Sequence, residues 1–306
     1  MSTIVEEIVK DGGYVILDNF IHPSQWVRPQ TRINPRGGII HWTGNIRSGA
    51  SDRANRDFFD GRKGTYGSAQ LIGDMDSILA ALPYMPYDAE LGYHVGASFY
   101  QTAHFGSYPN NCTLGYEMCV NKDGDFRESY KRAVWTMAYL GSIYSWNPLE
   151  DVMRHQDVTG KDCPLPFTDL IFSDNHCRSI GWSNEDIQWM RNNLHIDGIQ
   201  GEALWIKYRN DVVEVQYIID NGGIKMVQEL IEKVKALEEE VVKLKSIEEE
   251  VIKLKALSSV NVPDFAKVAV AKALQSLKEK GKTMQENGGS YDFYRTITIL
   301  DRLGLL

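Results

Sequence analysis

The order of apolar and polar positions divides the chain into two kinds of text. Up to about residue 221, short apolar runs bounded by Gly, Asn and Asp alternate with longer stretches at helical spacing. GGIIHWT (37–43) and TLGYEMCVN (113–121) read as strands. SYKRAVWTMAYLGSIYSW (129–146) has the three-and-four spacing of a core helix and stops just before Pro148. GWSNEDIQWMRNNL (181–194), with its Ser/Asn start, predicts a smaller helical excursion. The mixture predicts an α/β domain over residues 1–221.

DNGGIK (220–225) is a break, and the text then changes. From Met226 to Leu257 the chain is almost only Val, Leu, Ile, Glu and Lys. Val227, Leu230, Val234, Leu237, Val241 and Leu244 step by three and four, the heptad signature. LEEEVVKLKS (237–246) is followed by IEEEVIKLKA (247–256), and a ten-residue period is a heptad plus three, which overwinds a coiled coil locally. Residues 222–257 are therefore expected to be a linker and a coiled-coil helix that self-associates through 226–257. Val at a and Leu at d favour a parallel dimer, with higher states open. The competing reading is one solvated helix lying on its own domain. After SSVNVP (258–263), DFAKVAVAKALQSLKEK and YDFYRTITILDRLGLL predict two amphipathic helices around the loop KTMQENGGS. This small all-α unit, 258–306, has too little core to be comfortable alone. A second copy held close by the coiled coil would relieve that.

Charge changes the picture next. Residues 1–222 hold 19 Lys/Arg against 28 Asp/Glu, and residues 223–306 hold 14 against 13. An acidic N-terminal part lacks the basic footprint of a nucleic-acid binder. No stretch approaches the ~18 consecutive apolar residues of a membrane span. MSTIVEEIVKDGG lacks the basic start and apolar run of a secretory signal. Four scattered cysteines fit a reducing compartment of synthesis better than a disulfide framework.

The chemistry concentrates in RHQDVTGKDCP (154–164), where His155, Lys161 and Cys163 fall within nine residues. Imidazole and thiolate are zinc ligands, and catalytic zinc keeps three protein ligands and an open fourth position. His155 and Cys163 supply two. His41, ending the run GGIIH at a strand terminus, is the preferred third; His22, His94, His104, His176 and His195 compete. Cys112 and Cys119 are read as small buried hydrophobes.

Three blocks carry a family resemblance: QWVRP…GGIIHWTGN (25–45), CTLGYEMCVN (112–121) and RHQDVTGKDCPLPF (154–167). Residues 20–212 resemble the zinc-dependent N-acetylmuramoyl-L-alanine amidases of the peptidoglycan-recognition-protein fold (type 2 amidases), especially those of phage endolysins. The resemblance implies a mixed central sheet flanked by helices, with ALWIKYRNDV (203–212) in the last helix. It implies Zn2+ held by His41, His155 and Cys163, Glu117 as general base and acid, and Lys161 at the oxyanion. His94, in LGYHVGA, falls where relatives line the cleft and is expected to touch substrate. Some relatives place a Tyr or His beside the zinc in the strand corresponding to YGSAQLIGD (66–74); only Tyr66 is available there, and it comes too early. About 35 residues between Phe167 and Ala203, roughly 168–202, exceed the family minimum and are read as decoration.

The implied partners are bacterial peptidoglycan and, for the C-terminal helices, which resemble endolysin wall-binding tails, a cell-wall glycopolymer. The implied setting is synthesis in a host cytoplasm and action on the wall after release. One expectation comes from codons: Gly222-Gly223 must be GGNGGN, and GGAGG two codons before Met226 would form a ribosome-binding sequence. A second polypeptide starting at Met226 would then assemble with the full chain. Two rival classes stand beside the amidase: a catalytically silent peptidoglycan-binding module with structural zinc, and a coiled-coil scaffold with an incidental head.

Overall fold

Six strands form one sheet in the order β1-β4-β3-β5-β2-β6: β1 (Ile16–Asp18), β2 (Gly37–Trp42), β3 (Leu71–Gly73), β4 (Ile78–Ala80), β5 (Thr113–Met118) and β6 (Val152–Arg154). The computed structural model describes residues 1–96, 102–222, 237, 240–251, 261–280, 282, 284 and 289–305. Every strand pairing is parallel except β3 with β4. The two longest strands, β2 and β5, pair in the sheet interior and are almost wholly buried, as near-continuous apolar strands covered on both faces must be.

Helix α1 (Thr3–Asp11), α2 (Asp52–Asp60), α3 (Phe126–Tyr144), α4 (His155–Thr159), α5 (Asp174–Ser179), α6 (Asn184–Asn193) and α7 (Glu202–Asp220) surround this sheet. The expected core helix is α3. Asp125 caps it by accepting from the backbone of Arg127 and Glu128, a device worth about 1 kcal/mol. It passes so close to β2 that a Cβ on Gly38 would lie 2.5 Å from the sulfur of Met137. Tyr130, Val134 and Met137 of α3 join Tyr208 and Val212 of α7 and Ile40 and Leu114 of the sheet in the main core.

The structure adds to the sequence reading at two places. Residues 3–11 are a capped helix: Ser2 Oγ accepts from Val5 N, Gly12 closes the end at φ 77°, and Ile4, Val5 and Ile8 enter the main core. The extra segment 168–202 is more than decoration, because Ile171, Cys177, Ile187, Met190 and Leu194 belong to that same core. Cys112 and Cys119 are buried and free, as expected.

The chain separates into two compact units, Met1–Glu229 and Leu230–Leu306. In the second, residues 240–251 are helical, and α8 (Lys267–Glu279) packs on α9 (Tyr291–Arg302) through Ala269, Val270, Ala273, Tyr294 and Ile297. The two helices expected there are present. Met226, Val227, Leu230 and Val234 lie outside the described residues. Among the described residues no helix is long and apolar enough to cross a membrane.

Candidate metal centre

Three adjacent parallel strands end at one place. His41 is the penultimate residue of β2, Glu117 sits opposite it in register on β5, and His155 follows directly on β6. Functional groups at the carboxyl ends of parallel strands are held on rigid backbone and face a crevice. Cys163 reaches the same spot through a local reversal. The short α4 ends at Gly160, whose φ of 79° turns the chain back, and Gln156 N donates to Cys163 O at 2.9 Å. The spacing of eight between His155 and Cys163 is thus one helical turn and a return.

His41, His155 and Cys163 are 2%, 4% and 3% exposed, and their ligand atoms lie within 4.8 Å of one another. His41 Nδ1 is 3.7 Å from Cys163 Sγ. Tetrahedral zinc with N and S ligands asks for edges of about 3.5 Å, so this edge already fits and the widest needs to close by roughly 1 Å. His155 Nδ1 is buried without a hydrogen-bond partner. Such an orphan costs on the order of 1–3 kcal/mol unless something coordinates it. Zinc fits this donor set.

The electrostatics agree. Burial, reinforced by neighbouring His155, His94 and Lys161, holds His41 well below the ordinary imidazole value, and burial and Lys161 bring His155 down to about 3. Both rings are neutral with a lone pair to give. Burial, with the Glu117 carboxylate adding to it, pushes the Cys163 thiol up to about 12. A bound metal would displace that proton. Burial also lifts Glu117 to about 8, against the pull of the Lys161 ammonium.

Glu117, His155 and Lys161 open onto a cavity of about 560 Å³ whose walls include Arg62, Tyr66, Tyr93, Tyr108, Asn110 and Asn111. Lys161 is exposed at this cavity, as a group meant to meet a ligand must be. Tyr66 sits in tilted ring contact between Trp26 and Tyr93, with ring centroids 5.1 and 4.7 Å away, rather than beside the candidate ligands. His94 borders the cavity too, but its ring lies behind His41.

A family model described as N-acetylmuramoyl-L-alanine amidase matches residues 31–166, the stretch that holds all three ligand candidates, Glu117 and Lys161. Residues 31–166 are similar to that family. The amidase BlyA of Bacillus subtilis strain 168 is 26% identical over 160 residues, covering 50% of this chain and 43% of BlyA. CwlH of the same strain, also an N-acetylmuramoyl-L-alanine amidase, is 30% identical over 154 residues, covering 50% and 57%. The chain spans about half the length of the curated relatives it matches. Among solved structures, the catalytic domain of XlyA is 27% identical, with a TM-score of 0.42, covering 55% of this chain and 99% of that one.

The loop that carries Cys163 is held from a side that the sequence did not disclose. Asp162, between Lys161 and Cys163, is 2.7 Å from His176 Nε2 on α5, and Trp182 packs against Trp42, next to His41, with centroids 5.9 Å apart. Both partners come from the extra segment 168–202, which contributes no lining to the 560 Å³ cavity. That segment therefore supports the candidate metal centre from behind. His22 pairs with Asp60 and His104 with Asp151, and neither of these competing histidines is among the grouped ligands.

Proposed function

We propose that the chain is a zinc-dependent peptidoglycan hydrolase that cleaves the amide bond between the lactyl group of N-acetylmuramic acid and L-alanine. The observation that carries this reading is the convergence of neutral, buried His41, His155 and Cys163 with Glu117 at one end of the sheet. When bound there, zinc supplies Lewis-acid polarisation of the scissile carbonyl and acidifies its water. His41, His155 and Cys163 would hold it. Glu117, in register with His41 and open to the cavity, takes the proton of the attacking water and hands it to the departing alanine nitrogen. Lys161, exposed in the cavity, supplies positive charge to the developing oxyanion.

A Glu117→Ala comparison tests this. The variant should still bind zinc and purified walls, yet lose turbidity clearing by a factor on the order of 10²–10⁴. Undiminished clearing would remove Glu117 from the mechanism. Absence of clearing by the unmodified protein, with wall binding intact, would make the chain a recognition module with structural zinc.

The proposal extends to the tail. In residues 237–251 Leu237, Val241, Leu244, Ile247 and Val251 are all exposed. This stripe supports self-association through 226–257, with 258–306 holding a wall glycopolymer. Such an assembly would serve a phage endolysin, made in the host cytoplasm and acting on the wall after release. Initiation at Met226 would add free copies of the tail. Expression with native codons should yield a shorter product beginning at Met226, and a full-length band alone would rule it out.

A further inference from the structure

We infer that His94 is a positioning residue that fixes the tautomer of the zinc ligand His41, so that His41 Nδ1 is the coordinating atom. The inference rests on the metal reading proposed above and goes beyond it, because it assigns a residue outside the ligand set and says which proton it controls.

Hydrogen-bond accounting leads there step by step. The Thr113 hydroxyl has one proton and donates it to the carbonyl of Pro109 at 2.7 Å. Toward His94 Nε2, 3.2 Å away, the hydroxyl oxygen can then only accept. The Thr113 carbonyl, 3.4 Å from the same nitrogen, is also an acceptor. His94 Nε2 therefore carries a hydrogen. The ring is buried with no carboxylate among its hydrogen-bond partners, a setting in which an imidazolium is costly, so Nδ1 is bare. Nδ1 lies 3.1 Å from His41 Nε2, which must donate to it. One proton per neutral ring leaves Nδ1 of His41 as the lone pair, and that atom faces Cys163 Sγ.

The seat of His94 is built into the fold. Gly115 on β5 leaves the space for its ring; a Cβ there would lie 2.6 Å from His94 Cγ. The next residue is clamped, with Val95 N donating to Asn110 Oδ1 and Asn110 Nδ2 donating to Val95 O, at 3.0 and 2.9 Å. Metal-binding histidines generally donate their second nitrogen to an oriented acceptor, and losing that acceptor costs about 10–100-fold in metal affinity. Here the acceptor is another imidazole, braced in turn by Thr113. With both nitrogens engaged, His94 has none to offer a substrate.

The test uses the full-length protein and Zn(II) in competition with a chromophoric chelator. His94→Phe should bind zinc about 10–100-fold more weakly. His94→Asn, whose Oδ1 can accept from His41 Nε2–H, should recover most of that loss. Long-range 1H–15N spectra of the metal-free protein should show His41 protonated at Nε2. His94→Phe binding zinc within twofold of the unmodified protein would overturn the inference, as would a rescue that fails or a proton on His41 Nδ1. The tautomer spectrum needs neither metal nor variant, so it decides the matter even if His94→Phe does not fold. An unmodified protein that binds no zinc while its His41 is protonated at Nε2 would sink the metal reading alone.

Discussion

The N-terminal unit and the C-terminal unit depart from the ordinary distribution of polar and apolar groups in opposite directions. The first buries polar atoms that the chain leaves unsatisfied, His155 Nδ1 foremost. The second exposes large apolar side chains, among them Val242, Leu244, Val268, Ile299 and Leu303. A buried unpaired polar atom and an exposed apolar stripe are the two informative violations of the inside–outside rule. Each points to something beyond the single chain: a cation in one case, another protein surface in the other. The lesson is that function can be sought where folding alone leaves groups unmatched.

The difference can be broken most forcefully at Lys161. Its ammonium is exposed in the cavity, so Lys161→Ala should leave folding and zinc binding intact while lowering kcat about 10²–10³-fold. A loss confined to KM would assign the lysine to ground-state binding instead. The tail is next. Val241→Asp with Leu244→Asp puts charge into the exposed stripe and should give a monomer by light scattering. Clearing of intact walls should fall by about tenfold or more as avidity is lost, with cleavage of short soluble fragments unchanged. An unchanged mass would mean the stripe is merely solvated.

Asp52 sharpens the contrast, because it is a buried polar group that is matched within the chain. It accepts a short hydrogen bond from Ser77, and its backbone N–H donates to Asp74. Burial first and the Asp74 carboxylate next lift its pKa to about 6, against the Ser77 hydrogen bond. The folded state thus holds this proton more tightly than the unfolded chain does. The associated stability is full below about pH 4 and is lost as pH rises through about 6. Asp52→Asn should therefore stabilise the domain by about 1–2 kcal/mol at pH 7.5 and hardly at all at pH 4, read from denaturant melts. Equal effects at both values would mean the carboxyl titrates normally. The smallest change is expected from His176→Ala. Loss of its contact with Asp162 should weaken zinc binding a few-fold, roughly 1 kcal/mol, without touching the cavity.

How much of this was legible follows from the range of each signal. GGIIHW and the helix at 126–144 declare themselves through local period and flanking residues. Two of the candidate ligands, His155 and Cys163, did so through residue type, since His, Lys and Cys in a nine-residue loop are uncommon, whereas His41 had five rivals on sequence alone. Three-residue strands such as β1, β3 and β4 are too short for a period to show. Helix α1 had readable caps in Ser2 and Gly12 but was weighed only as a targeting segment. The role of His94 depends on partners 53 and 19 residues away, and no spacing rule encodes that. The segment 168–202 showed an apolar period without showing what it packs against, so its place in the main core stayed hidden.

The most direct test is the chemistry of the ends produced when purified Gram-positive walls are digested with and without a chelator. Chelator-sensitive appearance of new N-terminal L-alanine, restored by zinc and unaccompanied by new reducing sugar, is the expected result. Binding to walls without new alanine ends, or release that is indifferent to the chelator, would contradict a zinc amidase.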